Sequence, residues 1–314
     1  MINRRKFMTV AAAMGGAAVL ARPAFAADGW QAKYPELVFS TIPSENGSGV
    51  TDRYAPFMDY LSKELKTKVT LRVSNDYAAV IEGQRAGNIH LAYYGPASFA
   101  RALLTGVKTE AFTIDVNSDG SKGYYSVFYV LAKSPYQKIE DLQGKVIGLV
   151  DPNSTSGYNM PMFKLNAMHI DPDKYFSKAL TTGSHENALL ALAQGTVDVA
   201  ANWWNADDDS NLTRMLTKGM LKGADGAALK KEDFRIILKS DLIINSPTAF
   251  LADMPADAKA AIAQAFMDAP KKAPEAFAKL SDGKNKPWEA IANKDYDKTI
   301  ELIKFVDELK KKKA

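Results

Sequence analysis

The sequence predicts an α/β protein of two lobes, in which each lobe is a mixed, mainly parallel sheet flanked by helices and hinge strands run between the lobes. With 314 residues, of which 46% are hydrophobic, the chain is long enough to bury the cores of two domains. Patterns typical of strands and helices alternate along the chain, as they do in parallel-sheet domains. A helix and a strand also recur at matching spacing in the two halves.

The first lobe begins with alternating strands and helices. Residues 37–41 form an apolar run typical of a strand, and residues 68–73 alternate in polarity as a strand does. Residues 77–85 are predicted to be helical, and residues 89–94 to form the next strand. Between the first two strands, an amphipathic helix is indicated by apolar residues at helical spacing, namely Tyr54, Phe57, Met58, Leu61 and Leu65.

The second lobe is predicted to start near the polar turn at residues 117–123. Its first strands are expected at residues 125–132 and 146–150, and an apolar strand over residues 236–244 leads out again. The chain then ends in two helical stretches with no sheet of their own, residues 255–267 and 299–310. The simplest arrangement is a discontinuous first lobe with the second inserted into it, which gives the bounds 27–121 with 242–314, and 122–241.

One unit recurs in both halves by spacing rather than by sequence. Tyr77 and His185 each begin a predicted helix, and a glycine ends each helix ten positions later. A strand then runs to Tyr94 in the first half and to Asn202 in the second. Ligands of open α/β sheets lie at the carboxyl ends of strands and at helix N-termini. These four residues are therefore predicted to face a shared cleft.

The chain begins with a segment typical of an export signal. Basic residues 4–6 precede an apolar run too short to span a bilayer, which ends in small residues at Ala24 and Ala26. Residues 1–26 are therefore predicted to be a signal peptide that is removed near Ala26, and the mature protein is predicted to be periplasmic. The arginine pair is typical of twin-arginine export, and an ordinary secretory signal is the alternative.

The composition excludes several classes of function. The chain has no cysteine, which rules out disulfides, thiolate metal sites and a cysteine nucleophile. The formal net charge of +4 comes from 40 Lys and Arg against 36 Asp and Glu. Removal of the signal would take away Arg4, Arg5, Lys6 and Arg22. The mature chain is then close to neutral, and no nucleic-acid partner is expected.

The segment that most clearly indicates chemistry is the turn at residues 151–157, between a buried strand and a helix. Ser154, Thr155 and Ser156 place three consecutive hydroxyls where the first N–H groups of a helix are unpaired. Hydroxyl donors, free N–H groups and the positive end of a helix dipole suit a tetrahedral oxyanion. A turn that only caps its own helix is the alternative, although one serine would suffice for that.

A histidine and several aromatic residues are expected near this turn. His185 is the counterpart of Tyr77, and an imidazole can donate to an anion oxygen without a permanent charge. Aromatic pairs occur at residues 93–94, 124–125 and 203–204. Strand alternation allows only one member of each pair to face a given side. Tyrosine hydroxyls would serve as neutral donors to the oxyanion.

Five segments carry a family resemblance: residues 75–81 (NDYAAVI), 93–95 (YYG), 123–127 (GYYSV), 151–157 (DPNSTSG) and 183–187 (GSHEN). On these segments the chain resembles the phosphonate-binding components of ABC transporters. The resemblance covers nearly all of the mature chain and implies the type II periplasmic binding protein fold. It also implies that a set of polar residues holds the phosphonate oxygens, namely Ser154, Thr155, Ser156, Tyr124 and His185. Tyr77 would lie beside the organic part of the ligand, and Tyr94 would form part of the pocket wall.

The resemblance implies a function in uptake. A monomeric receptor without cofactor or metal would capture 2-aminoethylphosphonate, an alkylphosphonate or phosphite between its lobes and deliver it to an ABC permease. The chain departs from the family pattern at the positions that would contact the amine of 2-aminoethylphosphonate. Family members that bind 2-aminoethylphosphonate place acidic residues at positions that align with Asn205 and Ser246, which are uncharged here. Weak discrimination between amine and alkyl ligands is therefore expected, unless Glu45 or one of residues 207–209 supplies the charge.

Two other functions remain as alternatives. A periplasmic phosphoester-processing enzyme would need a nucleophile with a base, and only Ser154 and His185 resemble such a pair. Three adjacent hydroxyls without an orienting acid favour binding, so no enzymatic activity is predicted. A receptor that presents its ligand to a membrane sensor would share both the fold and the site.

Overall fold

The fold is that of a computed structural model, which describes residues 29–45 and 47–312. The predicted signal peptide, with its cleavage near Ala26, lies outside these residues. Within the described part of the chain, every helix is too short or too polar to cross a bilayer.

Helices and strands alternate through most of the described chain. The strands are β1 (Glu36–Thr41), β2 (Lys68–Val73), β3 (Leu91–Tyr93), β4 (Thr109–Asn117), β5 (Gly123–Leu131), β6 (Val146–Leu149), β7 (Lys178–Thr181), β8 (Val199–Ala206), β9 (Asp209–Ser210), β10 (Phe234–Lys239), β11 (Ile243–Ile244), β12 (Pro247–Leu251) and β13 (Asn285–Ala290). The α-helices are α1 (Trp30–Lys33), α2 (Gly47–Leu65), α3 (Tyr77–Arg85), α4 (Pro96–Leu104), α5 (Met160–Ala167), α6 (Pro172–Tyr175), α7 (His185–Ala193), α8 (Asn211–Thr217), α9 (Ala256–Lys272), α10 (Pro274–Leu280) and α11 (Asp297–Lys311).

The strands form two mixed sheets, one in each lobe. The first sheet has the order β13-β4-β12-β3-β1-β2, in which β1 is parallel to β2 and β3, and β12 is antiparallel to β3 and β4. The second has the order β10-β5-β8-β6-β7, with β11 beside β5 and β9 beside β8. Helices flank both sheets, so the two-lobed α/β fold is confirmed.

The first sheet takes strands from both ends of the described chain, whereas the second takes them only from residues 123–244. This order supports a discontinuous first lobe. The lobe bounds, 27–121 with 242–314 and 122–241, stay a prediction, and β11 pairs with the second sheet beyond residue 242. The chain therefore returns to the first lobe between Ile244 and Pro247.

Two predicted elements differ from the structure. The apolar run at residues 236–244 is divided into β10 and β11. At the division the Ser126 N–H of β5 donates to the side-chain hydroxyl of Ser240 at 2.9 Å, a contact outside the regular backbone ladder. The last part of the chain contributes β13 to the first sheet, antiparallel to β4. The sequence of β13 contains Pro287 and no alternation of apolar residues, as is common for an edge strand. This strand therefore escaped the sequence analysis.

The carboxyl-terminal helix α11 connects the two lobes. The Arg101 guanidinium on α4 makes two contacts with the Asp307 carboxylate, one of them at 2.8 Å. On the side of the second lobe, the ring of Phe305 packs edge-on against Phe163 on α5, with ring centroids 5.4 Å apart. Helix α11 therefore lies across the hinge.

Candidate functional site

A cleft between the lobes contains eight of the nine residues predicted to bind a ligand. Its volume is about 170 Å³. Pockets for drug-sized ligands enclose roughly 300–1,000 Å³, so this cleft fits a small molecule. The predicted residues that line it are Tyr77, Tyr124, Ser154, Thr155, Ser156, His185, Asn205 and Ser246.

The serine turn, residues Ser154 to Ser156, begins a helix a few residues after the end of β6. Its three side chains are buried, and the Ser154 hydroxyl accepts a hydrogen bond from the Gly157 N–H at 3.1 Å. The helix begins at Thr155 with a π-turn over Thr155–Asn159, earlier than the sequence suggests. A side chain at Gly157 would place its Cβ 2.4 Å from the Val150 Cβ, so only glycine allows this close turn.

Groups from both lobes converge on the serine turn. The Thr155 hydroxyl accepts a hydrogen bond at 2.8 Å from the Ala97 N–H, in the first turn of α4 of the first lobe. The Ser154 hydroxyl lies 3.2 Å from Nε2 of His185. The Ser126 hydroxyl supports the turn from behind by donating to the Ser156 carbonyl at 2.6 Å. The positive end of the α4 dipole and several hydroxyl donors therefore meet at one place.

His185 begins α7 and is a neutral group. Its ring is fully buried, and burial lowers its pKa to about 4. The Asn202 amide donates to the His185 carbonyl at 2.8 Å and the Ser184 hydroxyl caps the helix, so the residue is held firmly. Within the described chain no group bonds to Nδ1 of the ring. An uncharged imidazole can donate one hydrogen bond to an anion from Nε2.

The low pKa of His185 predicts acid-dependent stability. Between about pH 6.5 and 4, the unfolded chain binds a proton at this residue that the folded chain does not bind, so lowering the pH favours unfolding. The expected loss is up to about 3 kcal/mol. Chemical denaturation at pH 7 and pH 4.5 measures this loss of unfolding free energy. Between these two pH values, His185→Gln should lose less stability than the wild type. Replacement of the exposed His169 by Asn is the control, and an equal loss in all three proteins would contradict the prediction.

Tyr77 on α3 contributes a hydroxyl from the first lobe, and Tyr124 contributes one from the start of β5 in the second sheet. Burial raises the pKa of Tyr77 far above its usual range and that of Tyr124 to about 12. Tyr124 is also hydrogen bonded to the side chains of Thr155 and Ser156, and Tyr77 to that of Ser154. Both phenols therefore keep their protons at neutral pH and can act as hydrogen-bond donors.

The structure places Tyr94 and Asn202 outside the cleft, contrary to the sequence analysis. Tyr94 is fully buried in the core, where its hydroxyl bonds to Oε1 of Gln84 at 2.9 Å. Asn202 is likewise buried and supports the backbone of His185. Side chains alternate along a strand, so the neighbouring Tyr93 lines the cleft instead.

The remaining predicted residues lie along the cleft wall. Asn205 donates from its amide to the Asp209 carboxylate at 2.9 Å, and both residues line the cleft. Ser246 lines it where the chain enters β12, beside β4. Asp207 belongs to a separate pocket, and Asp208 pairs with Lys284 across the lobes at 2.8 Å.

Glu45 lines the cleft but is already neutralised by cations. Its Oε1 lies 2.6 Å from Arg53 and 2.6 Å from Arg214, and its Oε2 is 3.7 Å from Lys218. Burial by itself would raise the pKa of Glu45, but the three cations outweigh it and leave that pKa lowered. The carboxylate is therefore ionised and committed to these partners.

Sequence reasoning missed one acidic residue of the cleft, Asp115 on β4. Its two carboxylate oxygens accept hydrogen bonds from the Tyr93 hydroxyl at 2.6 Å and from the Trp288 indole N–H at 2.9 Å. Burial raises its pKa. A lone aspartate within an apolar strand is the signal that could have identified it, because isolated carboxylates are rarely buried.

The chain matches a family model over residues 39–296, described as ABC transporter, phosphonate, periplasmic substrate-binding protein. It is 31% identical over 236 residues to the phosphonates-binding periplasmic protein of Escherichia coli, covering 74% of this chain and 65% of the relative. It is also 31% identical over 224 residues to the phosphate-import protein PhnD of Mycolicibacterium smegmatis, covering 68% of this chain and 65% of the relative. The matched region thus spans slightly less than two thirds of each relative.

Two solved structures share the fold. A binding protein component of an ABC phosphonate transporter from Pseudomonas aeruginosa has a TM-score of 0.73 and 24% identity, over 85% of each chain. PhnD1 from Prochlorococcus marinus, in complex with methylphosphonate, has a TM-score of 0.71 and 20% identity, over 87% of this chain and 98% of that one. At these identities the likeness concerns the fold alone.

Proposed function

The chain belongs to the family of periplasmic substrate-binding proteins of phosphonate ABC transporters, and from this premise we propose that it captures a small phosphonate or phosphite in the cleft and delivers it to a membrane permease. One observation carries the proposal. The serine turn and His185 of the second lobe meet Tyr77 and the N-terminus of α4 of the first lobe. A ligand held there would contact both lobes.

The chemistry of this end of the cleft suits an oxyanion. Hydroxyls of Ser154, Thr155 and Tyr124, the imidazole of His185 and the N–H groups at two helix starts are all neutral donors. Neutral donors and helix dipoles stabilise an anion without a salt bridge. Binding can therefore be reversible, as delivery to a permease requires.

We propose binding rather than catalysis at Ser154 and His185. The two side chains are 3.2 Å apart, as a nucleophile and its base would be. However, no described residue bonds to Nδ1 of His185, and a pKa of about 4 makes the imidazole a weak base at neutral pH. After the protein is incubated with methylphosphonate or with a phosphate monoester, phosphorus NMR should show that both compounds are unchanged.

We also propose that residues 1–26 are a signal peptide that directs export and is cleaved near Ala26. The exported protein would then act as a monomer. The periplasmic location of the family supports export. Bridging of both lobes by one ligand requires only one chain, which supports the monomer.

Calorimetric titration of the purified protein tests the proposed function. Methylphosphonate, 2-aminoethylphosphonate, phosphite, phosphate and sulfate would be compared at one pH and ionic strength. We expect a phosphonate or phosphite to bind more tightly than sulfate, because the site hydroxyls can also accept a hydrogen bond from a protonated phosphorus oxyanion, whereas sulfate carries no proton. Tighter binding of sulfate, or no binding of any phosphorus compound, would contradict the proposal.

A further inference from the structure

We propose that the loop between α10 and β13 is a gate of the cleft, and that its ion pairs with the second lobe set the rate at which a bound ligand leaves. The loop comprises residues 281–284. The inference rests on the proposed function, because it concerns release from the same cleft. Lys284 and Asp282 of this loop would control the release of the ligand rather than the choice of ligand.

The gate loop, residues 281–284, forms part of the cleft wall. From the second lobe, Asn205 and Asp209 line the cleft on β8 and β9. The wall here consists of two segments from different lobes, so the lobes can part at this place without breaking the strand pairing of either sheet. The loop and the residues on either side of it contribute to the lining Leu280, Ser281, Lys284 and Asn285.

Two ion pairs join the gate loop to the second lobe. Nζ of Lys284 lies 2.8 Å from the carboxylate of Asp208, in the turn between β8 and β9. The carboxylate of Asp282 lies 3.1 Å from Nε of Arg214 on α8. Each pair has one member in each lobe. Both pairs are therefore broken when the lobes separate.

The backbone of the gate loop is fixed to the first lobe. Asp282 and Gly283 both lie in the left-handed region, with φ of 52° and 74°. The Gly283 N–H donates to the Ala278 carbonyl of α10 at 2.8 Å, and the Asn285 N–H donates to the Ser281 hydroxyl at 3.1 Å. Such a turn caps the end of a helix. The loop therefore moves with the first lobe, and its ion pairs are the contacts that open.

The pair between Lys284 and Asp208 is exposed, unlike the cluster around Glu45. The side-chain exposure is 36% for Lys284 and 79% for Asp208, but 2% for Glu45. Exposed pairs contribute little to stability and are screened by salt. A gate has to open each time a ligand leaves, so a weak pair suits it. The hydrogen bond to Asp208 raises the pKa of Lys284, so the lysine is charged at neutral pH.

The dissociation rate of methylphosphonate tests the inference. Stopped-flow fluorescence follows release after dilution of the loaded protein, because Trp203 and Trp288 line the cleft. We expect Lys284→Gln to release the ligand about 2- to 5-fold faster than the wild type. Lys284→Glu places like charges together and should release it about 10-fold faster. High ionic strength should narrow this difference, because salt screens exposed charges.

A charge swap separates a gate from a direct contact between Lys284 and the ligand. If the ion pair is what matters, Lys284→Glu combined with Asp208→Lys should restore the dissociation rate to within about 2-fold of the wild type. A lysine that holds the anion itself could not be replaced in this way. Release from the swapped protein as fast as from Lys284→Glu alone would therefore overturn the inference.

Lys108→Gln is the matched control. It breaks another exposed pair of 2.8 Å, with Asp253, within the first lobe, and should keep the wild-type dissociation rate. Equal rates in Lys284→Glu and the wild type would also overturn the inference, while the proposed function would stand. Failure of the wild type to bind methylphosphonate or any other phosphorus compound would instead contradict the proposed function, and the gate with it.

Discussion

Replacing Ser154 and Thr155 together by alanine is expected to weaken phosphonate binding by at least about 100-fold. Each hydroxyl would donate to an anionic oxygen, and a hydrogen bond to a charged group contributes roughly 1.5–3 kcal/mol. Two such losses give a factor of about 100 or more. The Ser154 hydroxyl also caps the turn through the Gly157 N–H, so the unfolding free energy should fall by about 1 kcal/mol.

Calorimetry with methylphosphonate measures the affinity, and chemical denaturation shows that the variant remains folded. Replacement of Ser134 and Thr217 by alanine is the matched control, because each of these hydroxyls bonds to a backbone carbonyl outside the cleft. Equal affinities for the double variant and the wild type would show that the serine turn does not bind the ligand.

Replacing Glu45 by glutamine is expected to open the cleft and destabilise the protein. Glu45 follows β1 of the first lobe and contacts Arg53 of that lobe, but also Arg214 and Lys218 from the region of α8 in the second lobe. Arg214 additionally reaches Asp282 of the first lobe at 3.1 Å. Removing one partner of a buried ion pair costs about 3–5 kcal/mol. Without the carboxylate, the two arginines would repel each other across the lobes.

Small-angle scattering and denaturation measure the effect of Glu45→Gln. With methylphosphonate at saturation, we expect a larger radius of gyration than in the wild type, and an unfolding free energy lower by about 3 kcal/mol. Glu110→Gln, which breaks a pair with Lys259 within the first lobe, is the control and should keep the wild-type radius. An unchanged radius and stability in Glu45→Gln would show that this cluster does not hold the lobes together.

The same cluster has a defined pH dependence. The cations lower the pKa of Glu45 below its ordinary value of 4.5, despite burial. Its contribution to stability is therefore complete above about pH 4.5 and is lost as the pH falls further. In Glu45→Gln, the part of the acid-induced loss of unfolding free energy that comes from protonation of Glu45 should be absent.

Local patterns predicted much of the fold. Helix α3 has the predicted bounds, Tyr77–Arg85, because a capping Asp76 precedes it and Gly87 with φ of 72° follows it. The matching unit ends in the same way at Gly195, with φ of 73°. Capping groups and left-handed glycines are properties of short segments, so the sequence alone reveals them.

The parts that escaped prediction depend on contacts between distant segments. Tyr93 and Tyr94 are adjacent, and only the pairing of β3 with its neighbours determines which of them faces the cleft. Asp115 and Trp288 are separated by most of the second lobe and meet because β13 pairs with β4. Strand β13 is a polar edge strand, and its pairing with β4 leaves no strong signal in the sequence, so the contact between Asp115 and Trp288 became visible only in three dimensions.

A crystal structure of the protein with bound methylphosphonate tests the central claim most directly. We expect the phosphonate oxygens within hydrogen-bonding distance of the hydroxyls of Ser154, Thr155 and Tyr124 and of Nε2 of His185, with Tyr77 in contact from the first lobe. A phosphonate bound outside the interlobe cleft, or held in it by Arg53 and Arg214 instead of the serine turn, would contradict the claim.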